Sequence, residues 1–240
     1  MDLKKYKHEA AYSYTLGMAP TLELIQYRKE AIDKIYVHPD YVPRDEAYNI
    51  FEVCASQNLP WEVNKKVFDR LSLKENVYVI GVFYKYDAPV ATNKPHIVLV
   101  NPSNSGNLGT IIRTGVGFGL KDLAIIRPAV DPYDPKTIRS SMGALFHINL
   151  SFFDSFQAYR EQFSEHRIYS FMLKGQKSLR DVHPPFPSLF SLVFGNEATG
   201  LPDCFLDYGE SILIRHSREI DSLNLSIAFG IAAHTFSQYE

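Results

Sequence analysis

Beyond residue 95, short apolar runs alternate with longer polar-apolar stretches. His96–Val100 (HIVLV), Leu123–Pro128 (LAIIRP), His147–Phe153 (HINLSFF), Arg167–Leu173 (RIYSFML), Ser191–Gly195 (SLVFG) and Ser211–Arg215 (SILIR) have the length and composition of strands. Leu108–Gly119, Pro135–Phe146, Ser155–His166 and Ser222–Tyr239 have helical composition. Strands separated by helices in this way predict right-handed crossovers and a parallel sheet. The first half reads as a smaller α/β unit. Leu22–Ile32 is an expected helix, Asp33–Pro39 a strand and Arg44–Gln57 a helix, with apolar residues at Ala47, Ile50, Phe51 and Cys54. Trp61–Val63, Asn64–Ser72 and Asn76–Tyr84 follow as strand, short helix and strand. The stretch Tyr84–Pro95 carries Pro, Asn, Asp and Thr, and marks the seam between the two parts.

Composition narrows the classes. The chain has 240 residues, 45% of them hydrophobic, enough for a sizeable core in one or two domains. A formal net charge of −2 excludes a globally basic protein, so nucleic acid would have to meet local basic patches. Lys4, Lys5, Lys7 and His8 form one such cluster, and Lys65, Lys66 and Arg70 another. Scattered lysines are also ordinary solvated surface. Cys54 and Cys204 have no metal spacing and suggest no disulfide framework. No metal site is expected. With no signal-type apolar core and no membrane-length run, the expectation is a soluble cytoplasmic protein.

Three segments carry chemistry. The first, NSGNLGTIIRTGVGFG (Asn104–Gly119), follows a strand and is glycine-rich, yet no triple of its glycines has the G-x-G-x-x-G spacing of a dinucleotide site, and no phosphate loop is present. A nicotinamide-dependent oxidoreductase therefore lacks its fingerprint. Asn104 or Asn107 is suited to cap the helix, with Ser103 and Ser105 as competitors, and Gly119 is suited to end it. Arg113 puts a fork of donors near a helix start, a combination suited to a polyanion; the plain alternative is a surface salt bridge. The second segment, LVFGNEATGLP (Leu192–Pro202), places Gly195, Glu197 and Gly200 just after a strand. The third, DSLNLSIAFGIAAHTF (Asp221–Phe236), opens a helix with Ser222 and Asn224 interleaved with Leu223 and Leu225. Either it is an ordinary cap by Asp221 or Ser222, or it holds a polar pair beside a pocket.

In order and spacing, NSGNLGTIIRT, LVFGNEATGLP and SLNLSIA resemble the three motifs of the TrmH (SpoU) family, within the SPOUT superfamily of RNA methyltransferases, and Arg139–Phe146 (RSSMGALF) resembles its connecting segment. The resemblance runs from about Pro95 to the C-terminus. More loosely, Tyr12–Ile25 and Leu71–Phe83 resemble the small ribosomal-protein-like domain that precedes this core.

The resemblance implies an RNA substrate-binding domain at 1–88 and a knotted methyltransferase domain at 95–240, whose parallel sheet has helices on both faces and a deep trefoil knot. It implies S-adenosylmethionine as cofactor, a homodimer, and methylation of a ribose 2′-hydroxyl in rRNA or tRNA. Asn107 and Arg113 would face the RNA, with Ser222 and Asn224 beside the transfer site. Gly195, Ile214 and Leu223 would meet the cofactor through backbone groups, and Asn196, Glu197, Gly200 and Leu201 would form the same wall. One departure stands out. Arg215, His216 and Arg218 occupy positions where the family typically has Pro, Met and Gly. They would either crowd the pocket, leaving a non-catalytic RNA-binding protein, or add positive charge where RNA enters.

Overall fold

The computed structural model describes residues 4–43, 49–71, 76–183 and 189–237. Its contacts divide the chain into two compact units, Met1–Tyr86 with Asp131–Phe146, and Asp87–Val130 with His147–Glu240.

The first unit is a four-stranded mixed sheet with helices. Its elements are β1 (Tyr12–Tyr14), α1 (Met18–Tyr27), β2 (Ile32–Val37), α2 (Ile50–Gln57), β3 (Trp61–Val63), α3 (Lys65–Leu71) and β4 (Val79–Tyr84). The strand order is β1-β4-β2-β3, with only the β2–β3 pair parallel. Alternation sorts the side chains. Ile35 and Val37 of β2 turn to one face and pack with Ile25, Ile50 and Cys54, while Tyr36 turns to the other with Val67, Phe68, Ile80 and Val82. Two expectations shift. The first helix begins four residues earlier than Leu22 and ends at Tyr27, because Lys29–Ala31 tightens into a 3-10 turn and Ile32 already belongs to β2. Strand β1 carries too few residues to show a period in the sequence. Of the second expected helix, positions 44–48 lie outside the described residues, as does Ser72 of the third.

The sequence reading kept residues 131–146 with the second domain; they group with the first unit. The short helix α5 (Pro135–Ser140) is capped by Asp134. Ser13 Oγ donates to the Tyr133 carbonyl at 2.5 Å, Tyr133 Oη to the Tyr86 carbonyl at 2.7 Å, and Phe146 meets Phe83 edge-on at 5.2 Å. An interruption of this kind in a regular strand–helix alternation leaves no mark in periodicity.

The second unit is a sheet of seven strands, β5 (His96–Val100), β6 (Asp122–Ile126), β7 (Asn149–Phe153), β8 (Arg167–Phe171), β9 (Lys177–Ser178), β10 (Phe190–Phe194) and β11 (Glu210–Leu213). The order is β7-β6-β5-β10-β8-β11-β9, and every pair is parallel. β5, β6 and β10 are buried at every position, as strands covered on both faces must be. Val98, Val100 and Val193 pack with Phe156 and Tyr159 of α6 (Phe156–Gln162) on one face. On the other face Phe194 meets Phe229, and Tyr169 meets Phe236, both on α7 (Leu225–Phe236), which packs alongside α4 (Ser105–Gly117). The expected parallel sheet with helices on both faces is thus observed; β9, two residues long, is the strand the sequence did not announce.

Helix α4 starts earlier than expected, at Ser105, so Gly106 and Gly109 lie within it. Asn104 is the cap, its Oδ1 accepting from the Gly106 and Asn107 amides at 2.8 and 3.0 Å. At the other end Gly119 takes a positive φ of 73°, and the amides of Gly119 and Leu120 return to the carbonyls of Val116 and Gly115. That closes the helix as its glycine predicted.

Candidate active site

All three chemistry-bearing segments converge in the second unit. β10 ends at Phe194, and the chain turns back on itself at once. A Cβ on Gly195 would stand 2.2 Å from the Gly200 carbonyl carbon, so only glycine lets the two ends of this loop touch. Asn196 fixes the loop from inside. Its Oδ1 accepts from the Ala198 and Thr199 amides at 2.9 and 3.3 Å, while its Nδ2 donates to the Asn101 carbonyl at 2.8 Å.

Glu197 reaches out of the loop to the start of α4. Its carboxylate accepts from the Ser103 amide and hydroxyl at 3.0 and 2.7 Å, from the Asn104 amide at 3.1 Å and from Asn107 Nδ2 at 3.3 Å. Partial burial pushes the Glu197 carboxyl up, but the Ser103 hydroxyl and amide and the Asn107 amide outweigh it and hold the group below its ordinary value. The carboxylate therefore stays charged and acts as a clasp. Asn107 passes the connection on: its Oδ1 accepts from Asn224 Nδ2 at 3.1 Å. Asn224 in turn caps α7, accepting from the Ser226 amide and hydroxyl at 2.9 and 2.7 Å. The cap is thus Asn224 rather than Asp221 or Ser222, and the helix starts at Leu225.

Beside this clasp lies a cleft of about 320 Å³, lined by the 195–201 loop, by Leu213, Ile214 and His216, and by Ser222, Leu223 and Leu225. Of the residues read as cofactor-binding, Gly195, Asn196, Glu197, Gly200, Leu201, Ile214 and Leu223 all line it, and Ser222 joins them. Asn107 and Asn224 adjoin it through the Glu197 clasp. Arg113 does not line it. It is exposed on α4, on a face shared with Gly106, Thr110 and Gly117, and makes no hydrogen bond or ion pair among the described residues. A surface salt bridge, the plain reading of this arginine, is not what forms.

The altered segment before α7 resolves by residue. Arg215 and Arg218 are exposed and outside the cleft lining, and Arg218 has no positive φ, so glycine is not required there and neither arginine crowds the pocket. His216 does enter the lining, its Nδ1 bonded to the Ile214 carbonyl at 3.0 Å. Sequence reasoning missed Lys174 and Asp203 on the rim, and Phe171, whose ring stacks on Phe194 with centroids 4.5 Å apart. A glycine directly after a strand-like run, in MLKG, was the available signal for the first of these. Among the described residues no His/Cys/Asp/Glu cluster suits a metal ion, and no helix is long and apolar enough to cross a membrane.

The SpoU rRNA Methylase family profile matches residues 94–234, a span holding the whole of this clasp and cleft. The chain belongs to that family. The resemblance drawn from the three motifs is therefore borne out. Relatives of the SpoU chain include a protein of Syntrophobacter fumaroxidans named ribosomal RNA small subunit methyltransferase G 2, 30% identical over 59% of this chain and 27% of its own length. A putative tRNA (cytidine(34)-2'-O)-methyltransferase of Listeria monocytogenes is 33% identical over 58% of this chain and 84% of its own. The match thus spans about a quarter of the first relative's length and most of the second's. Among solved structures, an AdoMet-bound rRNA methyltransferase from Sinorhizobium meliloti superposes with a TM-score of 0.77 at 23% identity, covering 94% of this chain and 86% of that one. The α/β fold with its seven-stranded parallel sheet is that of SpoU methyltransferases.

Proposed function

We propose that this SpoU-family chain is an S-adenosylmethionine-dependent RNA methyltransferase acting on a ribose 2′-hydroxyl of rRNA or tRNA. The observation that carries the reading is the cleft formed by the second and third motif segments and clasped to α4 through Glu197, Asn107 and Asn224. Its volume, about 320 Å³, lies within the range of small-molecule sites, and backbone at Gly195, Ile214 and Leu223 borders it. These residues suit the adenosyl end of the cofactor. When bound, the cofactor supplies a methyl group already activated on a sulfonium.

The chain's own residues then have a modest task, which is alignment and charge. The clasp holds the start of α4 against the cleft wall, so that a ribose gripped at α4 meets the cleft at a fixed distance. Arg113 has no partner among the described residues, and a guanidinium stays protonated at working pH. Its role is to stabilise negative charge developing on the 2′-oxygen and to hold a neighbouring phosphate, rather than to remove a proton. Ser222 and Asn224 flank the transfer site. The non-catalytic alternative rested on a crowded pocket, and the placement of Arg215 and Arg218 outside the cleft removes its motive.

Three further features belong to this reading. Segments 195–201 and 213–225 form the trefoil knot, supported by their sharing of one cleft. The first unit binds the RNA substrate, with Lys65 and Lys66 exposed on α3. The protein is a cytoplasmic homodimer, supported by Ile227 and Ile231, 55% and 40% exposed one turn apart on α7.

The test is transfer of labelled methyl groups to total rRNA and tRNA, followed by digestion to nucleosides. 2′-O-methylated nucleosides are expected from the wild type. Arg113→Ala should transfer about a hundredfold more slowly, the usual scale for losing one charge-stabilising donor. Its affinity for S-adenosylhomocysteine should be unchanged. Full turnover by Arg113→Ala would sink the assignment.

A further inference from the structure

Four ionisable side chains line the cleft: Lys174, Glu197, Asp203 and His216. Two are committed elsewhere. Both Glu197 oxygens are taken by Ser103, Asn104 and Asn107, and His216 Nδ1 is held by the Ile214 carbonyl. Among the described residues Lys174 and Asp203 have no partner but each other. Lys174 Nζ lies 2.8 Å from both Asp203 oxygens, and the two side chains are 68% and 67% exposed.

Their backbones are fixed from separate loops. Lys174 precedes Gly175, which lies so close to β11 that a Cβ there would stand 2.4 Å from the Ile212 carbonyl carbon. Asp203 opens a 3-10 turn anchored by the buried Phe205. One positive and one negative group are thus held side by side at the cleft rim, with flexible ends in solvent.

A net-neutral pair of this kind is matched to a net-neutral partner carrying the opposite arrangement. An α-amino acid end, with its ammonium and carboxylate on one carbon, is such a partner. An RNA phosphate is not, since Asp203 would repel what Lys174 attracts. We propose that Lys174 and Asp203 form the subsite for the amino-acid end of the adenosyl cofactor, Lys174 donating to its carboxylate and Asp203 accepting from its ammonium. Binding exchanges one exposed ion pair within the protein for two across the cleft. The proposal rests on the cofactor reading above.

Calorimetry with two ligands separates the subsite from that reading. S-adenosylhomocysteine carries the amino-acid end; 5′-methylthioadenosine keeps the nucleoside and the sulfur but lacks it. The wild type should bind both. Lys174→Met and Asp203→Asn should each weaken S-adenosylhomocysteine by about fivefold, the scale of one exposed ion pair, and leave methylthioadenosine unchanged. Added salt should narrow the gap between wild type and variants. Thermal unfolding should be unaltered, because both side chains are exposed. Undiminished S-adenosylhomocysteine affinity in both variants, or an equal loss for the two ligands, would overturn the subsite. A wild type that binds neither ligand would instead overturn the cofactor reading itself.

Discussion

His96 and His166 are buried side by side in the second unit, 0% and 6% exposed, with ring centroids 4.3 Å apart. His96 Nδ1 bonds Tyr159 Oη at 2.8 Å, Tyr159 Oη bonds Ser191 Oγ at 2.6 Å, and Ser191 Oγ bonds His166 Nδ1 at 3.0 Å. Burial, and then the neighbouring His96, push the His166 imidazole down to about 4 from 6.5; burial also lowers His96. The unfolded chain therefore takes up the proton before the folded one does. Stability from His166 is complete above pH 6.5 and is lost as pH falls toward 4. The full loss is about 3 kcal/mol, reduced where the two rings titrate together. Denaturant unfolding at pH 7.5 and at pH 4.5 should show this drop, and His166→Gln should flatten it. An unchanged slope in that variant would place the acid sensitivity elsewhere. None of this was legible beforehand, because α4, β6, α5, β7 and α6 all lie between His96 and His166 in sequence. By contrast Gly195, Ile214 and Leu223 were readable as cleft residues, since the motifs that contain them are short and contiguous.

At the scale of elements, the sequence spoke clearly where local chemistry decides and faintly where tertiary contacts do. Gly119 ended α4 as its conformational freedom suggested. The start of α4 was left among four candidates because Ser103, Asn104, Ser105 and Asn107 all suit a cap; Asn104 took it, and Ser103 and Asn107 were drawn off by Glu197. Glu197 was read as part of a cofactor wall, and its larger structural duty is to bind the β10 loop to the beginning of α4. A prediction follows from its four donors. Glu197→Gln keeps the shape but turns an amide toward Ser103 or Asn107, pairing donor with donor. The substitution should cost about 1–2 kcal/mol, the price of unsatisfied polar groups in a half-buried site. It should also weaken S-adenosylhomocysteine binding by loosening the 195–201 loop. Thermal unfolding and calorimetry check the two effects, and wild-type values in both would mean that the clasp carries no strain-bearing role.

For the molecule as a whole, the second unit was legible because fully buried parallel strands leave continuous apolar runs such as HIVLV and DLAII. The assignment of Asp131–Phe146 to the first unit was not, since it depends on partners such as Ser13, Phe83 and Tyr86 far away in sequence. Assembly is hinted at only by exposure. On α7, Ile227 and Ile231 lie one turn apart and point away from the sheet, and no described element covers them. Burial of each isoleucine is worth about 2 kcal/mol, and two-fold symmetry counts it twice. Ile227→Glu would place two charges against each other and against the partner's apolar stripe. Wild-type protein should sediment as a dimer at micromolar concentration, and Ile227→Glu as a folded monomer with unchanged circular dichroism. A wild-type monomer would remove the dimer from the proposed function, and a dimeric Ile227→Glu would move the interface to another face.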